Sequence, residues 1–316
     1  MRGAGVGLAP YPLGIGVKGS VKNKGFAKHY YLMLLPGYIW LIMFSIVPMF
    51  GILIAFQDFQ PVRGVLGSEW IGLENFKYMF TLNDSKIIFF NTVFIAVMKI
   101  AANLIVPIAF ALLLNELRVA FFKRWVQTLV YLPHFLSWVI LSGILIDVLS
   151  YTGPINNLLS NFGVEPILFM GKPALFPFLV VGSDVWKEFG FNTIIYLAAL
   201  TGINPSLYEA AALDGANRWR SLTHVTLPGI QPTVFLLLIL SLGSVLNAGF
   251  DQIFNLYNPL VYSTGDIIDT WVYREGLLKL QYGLATAVGL LKSVVGFILI
   301  TLSYYIANRF TNYRIF

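Results

Sequence analysis

Long apolar runs separated by short polar islands set the pattern of this chain. Six stretches, near residues 32–56, 87–114, 125–149, 174–200, 232–256 and 285–309, stay apolar for about 20 residues or more, the length a helix needs to cross a bilayer. The runs are continuous and do not alternate with period two, so they predict helices and exclude a membrane barrel. The expected fold is all-α, a polytopic integral membrane protein with six transmembrane helices over residues 31–316. An N-terminal tail, 1–30, contains glycines and lysines and predicts no regular structure. No short apolar segment with a small-residue cleavage site precedes the first run, so that run is expected to be an uncleaved anchor.

The most informative polar island lies at 205–230. Ser206 and Glu209 are spaced as a capping box behind Pro205, which predicts a helix starting near Leu207. Glu209, Ala210, Ala211, Ala212 and Leu213 favour helix, and Gly215 is placed to stop it at positive φ. About eight residues at 1.5 Å each give a helix of roughly 12 Å, too short to span a membrane.

Composition agrees with the pattern. The chain is 57% hydrophobic and 11% charged, against about 25% charged in soluble domains, with a mean hydropathy of +0.75. Of 21 Lys and Arg, 12 fall in the tails, the 115–124 loop and the 205–230 island, and 6 on the opposite side. This asymmetry predicts cytoplasmic termini and a cytoplasmic island. The basic pI follows from that topology, and no aromatic-and-basic nucleic-acid pattern is present. With no cysteine and three histidines, no thiolate metal site, disulfide or cysteine nucleophile is expected. A phosphate loop, a zinc HExxH helix and a serine-hydrolase motif are also missing from the sequence. No catalytic residue, metal or cofactor is therefore expected in this chain.

Ionisable residues at membrane depth need a partner or water. Lys99, Asp184, Lys187, Glu188, Asp251 and Lys292 are the candidates. Asp184 and Lys187, three apart, are expected to pair along one helix face, and Lys292 is placed to snorkel. By type, Trp186, Asn192, Tyr196, Asn247 and Gln252 suit saccharide stacking and hydrogen bonding, as does Tyr257. With Lys99 and Lys187, the first five make the candidate substrate path. Ala285, Gly289 and Ser293 recur every four residues, a helix-packing spacing. Gly243, Ser244, Ala248 and Gly249 mark a close-packed or bending helix. No internal repeat or broken helix is evident.

Glu209-Ala210-Ala211, three residues, Gly215, nine residues, Val225, one residue, Leu227-Pro228 resembles the EAA loop of permease subunits of binding-protein-dependent ATP-binding-cassette (ABC) importers. The family has Ile where Val225 stands. Trp70–Phe76 with Asn91-Thr92, Pro133–Ser137, Val185–Asn192, Gly249–Ile253 and Asp266–Thr270 are similar to the sugar-importing branch, in particular its polysaccharide and alginate permeases. The resemblance implies a permease in the bacterial cytoplasmic membrane, moving oligosaccharides, acidic and alginate-like ones included. Glu209, Ala210, Ala211, Asp214, Gly215, Leu227 and Pro228 would couple it to an ATPase dimer that holds the ATP and Mg. A second, non-identical permease and an extracytoplasmic solute-binding protein complete the implied partners, with lipid around them and no nucleic acid. Two other readings remain open from the residues. One is half of a secondary transporter driven by an ion gradient through Lys99, Asp184 or Glu188. The other is a membrane scaffold.

Overall fold

The computed structural model describes residues 24–311; most of the expected 1–30 tail lies outside them. The chain divides into two units at Phe50/Gly51. In the first, helix α1 (Lys24–Leu41) continues through a π-turn at Ile42–Ile46 into Val47–Met49.

The second unit is a helical bundle. A two-residue antiparallel pairing, Gln57–Asp58 with Glu69–Trp70, closes its first loop. Then follow α2 (Glu74–Thr81), α3 (Asn83–Glu116), α4 (Ala120–Tyr131), α5 (Trp138–Val148), α6 (Phe176–Thr201), α7 (Pro205–Leu213), α8 (Leu227–Gly243), α9 (Phe250–Leu256), α10 (Ile268–Tyr273) and α11 (Tyr282–Thr311).

Helices α3 and α6 share the most extensive contact. Their core is aliphatic and aromatic: Ile95 and Ala96 of α3 pack with Phe176 and Val180 of α6 and with Ile253 and Leu256 of α9. A second cluster, Ala111, Tyr196, Leu200, Ile203 and Ile230, closes the end near α7. Gly190 lets α4 approach α6, since a Cβ there would collide with the Val130 carbonyl. Small residues allow such close approach where the hydrophobic effect does not drive helices together. Of the expected small-residue stripe on α11, Ala285 is buried against Gly276, while Gly289 faces open space.

Four helical runs among the described residues are long and apolar enough to cross a membrane: Lys28–Phe56, Asn83–Glu116, Arg218–Gly243 and Tyr282–Tyr305. A fifth is counted if the bent pair Ala120–Phe135 and Trp138–Val148 is one span. The difference from six has a physical cause. Helix α6 has 26 residues but carries Asp184, Lys187 and Glu188, and so is too charged to qualify by composition.

Two expected spans are broken. The third bends by 105° after the 3-10 turn Leu132–Phe135, where Pro133 denies the helix a donor and Ser137 caps the restart. The fifth stops at Gly243 and resumes at Phe250, across Gly249 at φ +97°. Broken helices are thus present, contrary to the sequence reading, and their supposed absence does not count against a gradient-driven carrier.

Candidate functional site

The 205–230 island builds an exposed surface. Helix α7 starts at Pro205, two residues earlier than expected, because Asn204 is the N-cap: its side-chain oxygen accepts the Ser206 N–H at 3.0 Å. The expected Ser206–Glu209 capping box does not form. The Glu209 carboxylate is exposed and has no hydrogen-bond or ion-pair partner among the described residues. The end of the helix is as the sequence predicts. Gly215 sits at φ +76°, and the Ala216 N–H donates back to the Ala211 carbonyl at 2.9 Å, the Schellman pattern. Tyr208 fixes α7 to the chain after it through a 3.0 Å hydroxyl contact with Thr226.

What α7 leaves outside is apolar as well as charged. Leu213 is 90% exposed and Trp219, just beyond the turn, 70%. Ala210, Asp214, Leu227 and Pro228 are exposed too, and Ala211 is half-buried. Next to this surface, a recess of about 700 Å³ lies between the α7–α8 segment and the end of α3, with Leu113, Glu116, Arg218 and Trp219 in its walls.

The second polar concentration is buried at the two breaks. Lys99 of α3 ion-pairs with Asp184 of α6 at 3.0 Å and donates to the Ala248 carbonyl, freed by the α8–α9 break, at 2.8 Å and to the Gln252 side-chain oxygen. Asn103 holds the other Asp184 oxygen at 2.7 Å. The Gln252 amide nitrogen donates to the Val180 carbonyl at 2.7 Å and to Ser183 at 2.8 Å. One turn along α6, Lys187 donates to the His134 carbonyl at 2.6 Å, at the bend of the third span. Glu188 takes the His134 ring at 2.7 Å and Lys187 at 3.3 Å. The His134 ring stacks flat on Phe191, centroids 4.0 Å apart. A lysine therefore donates to a backbone carbonyl at each break, as backbone freed within a bilayer requires.

Two expectations, one pairing and one snorkelling lysine, are corrected by this geometry. Asp184 binds Lys99, not Lys187, because the acid of α6 faces α3 and the lysine faces the third span. Lys292 does not snorkel but binds Asp269 at 2.6 Å.

Of the candidate path residues, Lys99, Lys187 and Gln252 come together in the buried network, with their polar atoms already engaged. Tyr196 is buried in the core cluster beside α7. Trp186 and Asn247 are exposed and Asn192 half-buried, apart from the network contacts. Sequence reasoning missed Asn103 and Ser183. Asn103 lies four residues after Lys99, on the same helix face, and that spacing was the available signal.

Beyond the span ends, residues 257–281 add another ion pair. Arg274 binds Asp266 at 2.5 Å and lies over the Tyr262 ring at 4.6 Å. Burial alone would lower the Arg274 pKa, but hydrogen bonding and charge from Asp266 outweigh it and hold the group above its usual value. Burial, with Tyr262 and Asp266 nearby, pushes Tyr257 up to about 12, so its phenol is a neutral hydrogen-bonding group near neutral pH.

Residues 103–312 match the family described as binding-protein-dependent transport system inner membrane component. The chain is 45% identical to the polygalacturonan/rhamnogalacturonan transport system permease protein YteP of Bacillus subtilis (strain 168), over 90% of this chain and 88% of that protein. It is 43% identical to protein LplB of the same organism, over 92% and 91%. Its structure is similar to a crystal structure of a bacterial ABC transporter involved in the import of the acidic polysaccharide alginate. The TM-score there is 0.84 at 38% identity, covering 91% of this chain and 97% of that one. A second structure, of a bacterial alginate ABC transporter with an alginate pentasaccharide-bound periplasmic protein, gives 0.83 at 37% identity.

Proposed function

Because the chain belongs to the inner membrane component family of binding-protein-dependent transport systems, the permeases of ABC importers, we propose that it moves oligosaccharides inward through the membrane, powered by ATP hydrolysis in a separate subunit. The observation that carries the coupling is α7: a short, capped helix with a Glu209 carboxylate that has no partner among the described residues and an exposed Leu213. Burying that leucine in a partner is worth about 1.5–3 kcal/mol, and the Glu209 carboxylate offers acceptors for a donor there. The partner is an ATP-binding-cassette dimer. A second, homologous permease supplies the other wall of the path, and an extracytoplasmic binding protein delivers the saccharide. Relatives that transport pectic polymers and alginate support an acidic oligosaccharide as the class of cargo.

In this mechanism ATP binding favours one of two states of the bundle, and α7 transmits that preference into the spans through Tyr208 and Thr226. The ionisable groups that a gradient-driven carrier would titrate, Lys99, Asp184 and Glu188, are each engaged in ion pairs, which does not favour that alternative. Purification of the tagged chain from its own membranes in mild detergent should bring with it an ATPase and a second EAA-bearing permease. Recovery of the chain alone, with no ATPase activity responding to a liganded binding protein, would refute the reading.

Orientation has its own test, since the native chain has no cysteine. Val62 is fully exposed in the 57–86 loop and Ser263 is exposed in 257–284; Val119 is 64% exposed in the 115–124 loop. With both termini cytoplasmic, Val62→Cys and Ser263→Cys react with a membrane-impermeant thiol reagent in intact cells. Val119→Cys reacts only after permeabilisation. The opposite pattern would invert the topology.

A further inference from the structure

An apolar pocket of about 280 Å³, partly open to its surroundings, lies between α2, the start of α3, α10 and α11, lined by Met79, Phe80, Ile88, Phe89, Trp271 and Val288. We propose that it holds an acyl chain of an anionic phospholipid, with Lys86 as the headgroup contact. The size decides against a whole helix inside it. An apolar cavity of about 150 Å³ already takes a benzene, so this one accommodates a segment of hydrocarbon tail. A helix about 10–12 Å wide does not enter.

The polar atoms at its rim narrow the ligand further. Lys292 is tied to Asp269 at 2.6 Å, and the Ser85 hydroxyl donates to the Met79 carbonyl at 2.6 Å. Lys86 is exposed and has no acidic partner among the described residues. It stands in the first turn of α3, where the apolar run begins and the headgroup layer lies. A cation above an apolar slot at that depth matches a phosphate above a tail, the arrangement by which basic residues select anionic lipid. Asp84, exposed two residues earlier, opposes a multiply charged headgroup and favours a singly charged one such as phosphatidylglycerol.

The test uses the complete transporter in phosphatidylcholine nanodiscs doped with phosphatidylglycerol that carries a photoreactive diazirine in one acyl chain. Irradiation should label peptides containing Met79, Phe89 and Leu291. Unlabelled phosphatidylglycerol should compete about fivefold better than phosphatidylcholine, as one lysine near an anionic lipid implies. Lys86→Glu should keep the labelling and lose that preference. Val295→Trp, which fills the slot from a half-buried lining position, should lose the labelling while its thermal unfolding stays that of the wild type. The proposal fails if label spreads evenly along the lipid-facing helices, or if Lys86→Glu leaves the preference intact. It fails equally if another subunit takes the crosslinks because its side chains occupy the slot.

Discussion

Glu209→Ala is expected to leave insertion and thermal stability unchanged while cutting the ATPase stimulation by liganded binding protein about tenfold or more. Stability should hold because the carboxylate caps nothing: Asn204 is the N-cap, and alanine is the better helix former. Coupling should suffer because a hydrogen bond to a charged group is worth about 1.5–3 kcal/mol, and in the proposed function Glu209 makes that bond to the ATPase. Gly215→Val probes the same surface by another route. No atom lies within 4 Å of a Cβ built at Gly215, so any effect comes from forcing a branched residue to φ +76°. That costs about 1–2 kcal/mol, enough to unwind or tilt the last turn that presents Leu213. Both variants are assayed in proteoliposomes with saturating binding protein and saccharide. Wild-type stimulation in both would reduce the island to a connector.

Lys99→Met is expected to be the most damaging single change in the bundle. It leaves Asp184 charged with a side chain only 16% exposed, and strips the Ala248 carbonyl and the Gln252 oxygen of their donor. Removing one member of a buried pair costs about 3–5 kcal/mol, seen as a fall in Tm of the detergent-purified protein. Lys99→Met with Asp184→Asn should recover part of that loss, because no charge is stranded and Asn103 keeps a side-chain acceptor. Additive losses in the two single variants and the double would show that the pair is not coupled. The same double variant separates a structural lysine from a substrate-binding one. A structural role returns transport together with Tm, whereas a saccharide contact leaves transport lost at recovered stability.

The sequence made the helices legible and hid their interruptions. Apolar runs report burial in lipid, so Pro133 gave no sign of the first break, whereas Gly243, Ser244, Ala248 and Gly249 marked close packing or a bend without showing that the helix stops there. Gly215 was legible because a left-handed stop is a local property of one residue. The N-cap was misassigned because Asn204 and Ser206 are both good caps, and which one serves depends on the backbone entering at Pro205. Pairing was least legible. Asp184 and Lys187 satisfy the spacing rule for a helix pair, yet Asp184 pairs with Lys99 of α3, and Lys187 takes the His134 carbonyl at the bend of the third span together with the neighbouring Glu188, which no i, i+3 rule sees. The exposure of Leu213 was likewise invisible in sequence, where a leucine in an alanine-rich helix reads as core.

Helix α6 carries Asp184 and Lys187 within a single turn. The first grips α3 and, through Lys99, the gap between α8 and α9; the second grips the elbow of the third span. Both interruptions are thereby pinned to one rod. Neither can travel along the rod without parting an ion pair or baring a carbonyl, so a small displacement of one is passed to the other. A push delivered at either end of α6 is therefore expected to reach both elbows, and breaking either grip is expected to uncouple one of them.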